Sequence, residues 1–157
     1  DTDKPFGSTG SFFAIQELTG SYEANPPFVP ELMLHMAEKM CALLETARGP
    51  LSFTVFVPSW ARLPFYQHLK KASKCRAHCT IPASEHAFCD GAQHEKLHRY
   101  RPSSFDSSVF ILQNDAGAAR WAVTPEILGE LKEAMRNPEG TLDLKAYEKS
   151  NHSHKKQ

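Results

Sequence analysis

No stretch of the sequence approaches the roughly 20 consecutive apolar residues that a membrane-spanning helix needs, so no membrane partner is expected. Charge of one sign is missing as well. Eighteen Lys and Arg balance eighteen Asp and Glu, so the chain as a whole advertises neither nucleic acid nor membrane; RNA binding would have to rest on a local basic patch. Cysteine is sparse. Cys41, Cys75, Cys79 and Cys89 lack the density of a secreted disulfide scaffold, and reduced thiols in an intracellular protein are expected. The opening Asp1-Thr2-Asp3-Lys4 has no signal-peptide character, and no internal repeat is visible. A glycine-rich turn closing a strand is also lacking: Gly7 and Gly10 sit in the Gly/Ser-rich stretch Phe6–Phe13, and nothing before them reads as a strand. That start reads as the interior of a longer polypeptide.

What is there suits one globular domain with one core. The 157 residues are 41% hydrophobic and 23% charged. A short strand is expected near 21–25, ending at Asn25-Pro26-Pro27-Phe28. A helix follows over 30–47, with Pro30 at its first position, Glu31 in its first turn, and Met33, Met36, Ala37, Met40 and Leu44 at helical spacing. The run Leu51–Val57 is β-branched, aromatic and bounded by prolines, which predicts a strand buried on both faces. A helix over 63–74 and a strand over 77–81 come next. Residues 84–106 are polar and irregular, and a stretch of that length inside a small domain is usually functional or mobile. Ser108–Gln113 reads as a strand, and Thr124-Pro125-Glu126 opens a helix to about 136. Alternation of this kind predicts an α/β layered sheet over 1–136. The last strand should be antiparallel, because no crossover helix precedes it. Residues 137–157 read as a polar, disordered tail.

The residues that carry chemistry are Asn25-Pro26-Pro27-Phe28, placed after a strand and before a helix. Ligands of open α/β sheets sit at the carboxyl ends of strands. An amino group conjugated to a heterocycle is planar, with its lone pair delocalised into the ring. An acceptor that takes a hydrogen bond from such an N–H pulls the nitrogen toward tetrahedral geometry and frees the lone pair. The Asn25 side-chain oxygen can do this, and the Pro26 carbonyl can accept from the second N–H. Pro26 and Pro27 stiffen the backbone that holds both acceptors. Phe28 offers a face on which a flipped-out base can stack. The same four residues also suit an asparagine turn before a proline-initiated helix, with Phe28 entering the core.

Beyond the tetrapeptide, the chain resembles the phosphorylated-CTD-interacting-factor family, enzymes that N6-methylate a 2′-O-methyladenosine beside the mRNA cap. The resemblance rests on Glu23–Phe28 followed by Pro30-Glu31-Leu32, on Phe6-Gly7-Ser8, and on Phe56-Val57-Pro58 with Trp60. Pro82-Ala83 with Glu85-His86, Gln93-His94, Leu112-Gln113-Asn114-Asp115, and Trp121-Ala122 with Thr124-Pro125-Glu126 extend it across about residues 1 to 136. It implies the C-terminal half of a Rossmann-like methyltransferase sheet, S-adenosylmethionine as cofactor and capped mRNA as substrate. Asn25, Pro26, Pro27 and Phe28 would be catalytic, with Asn25 and Phe28 also meeting the cofactor. Phe28, Trp60, Glu85, His86 and His94 would meet the substrate. The early strands of the sheet and the cofactor's glycine turn are absent from this chain, so the remainder of the methyltransferase domain becomes an expected partner. The RNA polymerase II C-terminal domain would bind through regions upstream, and the nucleus is the expected compartment.

Other readings remain open. The Asn-Pro-Pro-aromatic motif also serves protein glutamine N5-methyltransferases, and a non-catalytic RNA- or protein-binding module could keep the same fold. Cys75-x3-Cys79 and His94-x3-His98 come close to a zinc spacing. With Cys79 on a strand and no finger-like core pattern, no metal is expected. Lys70, Lys71, Lys74 and Arg76 read as a solvated helix end rather than a phosphate site.

Overall fold

The computed structural model describes residues 5, 7–8, 10–89 and 100–136. His94, His98 and the 137–157 segment lie outside the described residues. Among the described residues six strands and four α-helices follow in the order β1 (Gly20–Ala24), α1 (Pro30–Thr46), β2 (Leu51–Pro58), α2 (Pro64–Lys71), β3 (Cys75–Ile81), β4 (Ala87–Cys89), β5 (Tyr100–Pro102), β6 (Ser107–Gln113), α3 (Asp115–Arg120) and α4 (Pro125–Met135).

A four-stranded sheet runs β1-β2-β6-β3. β1 and β2 are parallel, with Ala24 opposite Val55, whereas β6 is antiparallel to both β2 and β3. The chain steps from β2 over α2 to β3 and leaves a slot between them. After residue 81 it folds back through the short β4–β5 hairpin, and β6 fills the slot in the opposite direction. The expected antiparallel last strand is therefore present, at the centre of the sheet. Its position explains its composition: all seven β6 residues are buried, whereas β1, at the edge, exposes three of five.

Alternate β6 side chains serve two layers. Phe110 and Leu112 join Phe53, Val55 and Val57 under α1 and α2, which contribute Met33, Ala37, Met40, Leu44, Phe65 and Leu69. Val109 faces the other way, with Cys79 and Ile81, and is covered by Leu128, Leu131 and Met135 of α4. Each large apolar side chain buried in this way contributes about 1.5–3 kcal/mol.

The structure differs from the sequence-based expectation in three local ways. The second helix stops at Lys71 rather than 74, and β3 starts at Cys75 with a register shift before Ala77. The stretch 84–106 is not wholly irregular, since it contains β4, β5 and a bridge between His86 and Arg136. An additional short helix, α3, follows β6. Asn114 organises that junction: its Oδ1 accepts from Gly117 N (2.7 Å) and Leu51 N (3.0 Å), and its Nδ2 donates to the Gly49 carbonyl (2.9 Å). It thus caps α3 and ties the end of β6 to the start of β2. Gly117 is needed for that approach, because a Cβ there would lie 2.3 Å from the Leu51 oxygen.

Candidate active site

β1, β2 and β3 share one direction, so their carboxyl ends lie at one edge of the sheet; β6, running the other way, starts there. This topology gathers four segments distant in sequence: Asn25–Phe28 after β1, Ser59-Trp60 after β2, Pro82–His86 after β3, and Ser103–Asp106 before β6. Sites in α/β sheets form at such edges.

The Asn25 side chain is exposed and makes no hydrogen bond among the described residues. The asparagine turn that its sequence context also allowed is not formed. Val29, not Asn25, occupies the N-cap of α1, and its carbonyl accepts from Met33 N at 2.9 Å. The two prolines differ. Pro27 is exposed and its carbonyl is taken by Val29 N at 2.7 Å, whereas Pro26 is buried and its carbonyl accepts no hydrogen bond among the described residues. Two free acceptors, one amide oxygen and one main-chain oxygen, thus stand on adjacent residues.

Phe28 is half-buried against the core. It belongs to an aromatic wall built edge to face. Its ring centroid lies 5.6 Å from Phe105 and 6.3 Å from Phe88, and Phe105 in turn lies 5.5 Å from Trp60. Trp60 also meets Phe65 at 6.3 Å, which fixes its inner side. The structure therefore brings Trp60 and Phe28 together through Phe105. Phe88 and Phe105 were not singled out from the sequence. The signal available was an apolar ring retained in an otherwise polar stretch, next to a strand.

His86 takes a different place from the substrate contact expected of it. It is 2% exposed, with Nδ1 2.7 Å from the Pro82 carbonyl and Nε2 2.8 Å from Ser107 Oγ. Both ring nitrogens are engaged within the chain, which leaves neither for a ligand. Glu85, one residue earlier on a 3-10 turn, is exposed, and its carboxylate has no partner among the described residues.

A second polar network backs the end of β2. Ser59 Oγ lies 2.6 Å from Ser108 Oγ, and His78 Nε2 reaches Tyr66 Oη (3.2 Å) and Ser108 Oγ (3.3 Å). His78 also stacks on Phe110 at 4.4 Å. Burial first, and Lys70 second, push its imidazole below the ordinary value of 6.5. The remaining candidates separate cleanly. Burial raises the thiols of Cys75 and Cys79. Of the four cations near the end of α2, Lys74 and Arg76 are engaged by Asp115, whose carboxyl is held low chiefly by the Arg76 hydrogen bond.

Fold and site together define an α/β sheet unit that presents paired oxygen acceptors and an aromatic wall at the carboxyl edge of its parallel strands. A family model described as "Phosphorylated CTD interacting factor 1 WW domain" matches residues 1–91, more than half of the chain. A human protein named mRNA (2'-O-methyladenosine-N(6)-)-methyltransferase is 41% identical over 140 residues, covering 87% of this chain and 20% of the relative. A mouse protein of the same name is 39% identical over the same length and coverage. The chain belongs to the phosphorylated-CTD-interacting-factor family. It spans about a fifth of the length of the curated relatives it matches.

Proposed function

We propose that this chain carries the acceptor side of an S-adenosylmethionine-dependent methyltransferase that acts on the exocyclic N6 of a 2′-O-methyladenosine beside an mRNA cap. The observation that carries the reading is the pair of free acceptors on Asn25 and Pro26, held by a proline backbone next to a half-buried phenylalanine. The mixed sheet, with three parallel strands and an antiparallel β6 among them, is compatible with the C-terminal half of a Rossmann-like methyltransferase sheet. The names of the human and mouse relatives supply the substrate class.

The donor set fits this chemistry. S-adenosylmethionine, when bound, supplies an electrophilic methyl group, and Asn25 and Phe28 are the residues of this chain that would face it. The work of the chain is at the acceptor. Asn25 Oδ1 accepts one N–H of the amine and the Pro26 carbonyl the other, which turns the nitrogen lone pair out of conjugation with the ring. Pro27 fixes the turn, its own carbonyl being spent on Val29. Phe28 stacks on the base, and Trp60 and Glu85 line the same edge. No side-chain base is required, because an alkylated amine gives up its proton to water. The phosphorylated C-terminal domain named by the family is a proposed partner of regions outside this chain, and the nucleus is the proposed compartment.

The test is methylation of capped RNA beginning with adenosine by the full-length protein, beside a glutamine-containing peptide. Asn25→Ala is expected to lower the rate on RNA by about 100-fold or more, the usual cost of deleting one preorganised polar contact to a reacting group. An unchanged rate would end this reading. Methylation of the peptide alone would move the protein to the glutamine methyltransferases, and calorimetry showing no S-adenosylmethionine binding would make it a binding module.

A further inference from the structure

We propose that His86 is a positioning residue for this site: it clamps the 103–106 loop so that Phe105 sets the orientation of Phe28 and Trp60. The inference rests on the methyltransferase reading above and assigns that site a residue that never touches the substrate.

His86 links three segments. The Pro82 carbonyl can only accept, so Nδ1 carries a hydrogen and donates it, while Nε2 meets the Ser107 hydroxyl, a group able to donate or accept. Its own carbonyl accepts from Ser103 N at 3.5 Å. The end of β3, the entry to the loop and the start of β6 are therefore joined through one buried side chain and its backbone. Ser103 and Ser107 are themselves 3% and 1% exposed, so the bonds are shielded from water and water does not readily replace them.

The loop is closed from within and from both sides. Ser103 Oγ donates to the Phe105 carbonyl (2.6 Å) and accepts from Phe105 N (3.4 Å). Asp106 accepts from Ala83 N through Oδ1 (2.9 Å) and from Ser59 N through its carbonyl (2.8 Å). Phe105 is held in the middle, and it alone of the described rings touches both Phe28 and Trp60. A second route runs through Phe88, whose ring lies 5.5 Å from His86 and 6.3 Å from Phe28. Binding groups work when a rigid layer behind them locks their rotamers, and His86 belongs to that layer.

The test compares His86→Ala, Phe105→Ala and the double variant in the full-length protein, with capped RNA beginning with adenosine as substrate. Each single change is expected to lower kcat/KM for RNA at least tenfold, with a smaller rise in KM for S-adenosylmethionine because Phe28 also faces the cofactor. The double variant should lose clearly less than the product of the two single losses, because both act mainly through the Phe105 ring and only the Phe88 route is left over. Losses that multiply, an unaltered kcat/KM in His86→Ala, or an equal shift in both KM values would overturn the proposal. Should His86→Ala fail to fold, Ser107→Ala removes only the Nε2 partner and should give the same pattern at smaller size. Amide exchange of residues 100–107 supplies a readout independent of catalysis: it should quicken in His86→Ala while β2 stays protected. If the unaltered protein methylates no capped RNA, the methyltransferase reading falls, and exchange that fails to quicken then also removes the clamp.

Discussion

Among the described residues two asparagines follow strands of the four-stranded sheet, at its opposite edges, and they do opposite things. Asn114, after β6, is 8% exposed and spends its amide on Gly117, Leu51 and Gly49. Asn25, after β1, is exposed and its amide is bonded to nothing among the described residues. Their surroundings differ in the same sense. At the Asn114 edge a backbone approach demands glycine at 117, and exposed Asp115 gathers Arg76 and Lys74. At the Asn25 edge the Asn25 amide and the Pro26 carbonyl are unspent among the described residues, and the Phe28 ring beside them is left half-covered. Residue type and position after a strand are therefore poor guides to role; what distinguishes the two is whether hydrogen-bonding capacity has been spent inside the fold.

The most direct way to break this comparison is to truncate both asparagines. Asn114→Ala leaves Leu51 N–H and the Gly49 carbonyl without their partner and removes a helix cap. A loss of about 2–4 kcal/mol in urea unfolding is expected. Asn25→Ala should change stability by less than about 0.5 kcal/mol, since it removes no internal bond. Equal destabilisation by the two would erase the distinction. Gly117→Ala sharpens the same point, with an expected cost of about 1–3 kcal/mol from forcing a methyl group against the Leu51 carbonyl. A cost near zero would show that α3 shifts freely.

The smallest effect concerns pH. His78 has a folded value below 6.5, so as pH falls the unfolded chain takes up the proton first. Its contribution to stability is complete above about 6.5 and is lost as the pH falls below it through the folded value. The decline in Tm from about pH 7.5 to about 5.5 should be shallower in His78→Gln than in the wild type; equal slopes would assign the titration elsewhere.

Much of the sheet was legible in the sequence, for reasons that particular residues show. β2 and β6 carry mostly apolar runs, Phe53–Val57 and Val109–Leu112, because they are the inner strands. α1 declares itself through Pro30 and the spacing of Met33, Ala37, Met40 and Leu44. α3 was illegible because six residues are too few for periodicity, and Gly117, which argues against a helix locally, is required by a contact 66 positions away. In the candidate site the motif, its Pro26 carbonyl and Trp60 could be named, but not that the Pro27 carbonyl is spent on Val29, since that depends on the local turn. His86 sits in a polar run and reads as surface. Its burial depends on Ser107, 21 residues on, a relation no local pattern expresses.

The insertion of β6 between β2 and β3 has a consequence for how the chain comes into being. The last of the four described sheet strands to be made occupies an inner position, so β2 and β3 cannot complete their ladders until residues 107–113 have left the ribosome. Before then each presents an open row of amides and carbonyls on an apolar ribbon, the kind of surface that recruits foreign strands. Truncation ahead of residue 107 should therefore yield a sticky, aggregating product rather than a smaller stable domain.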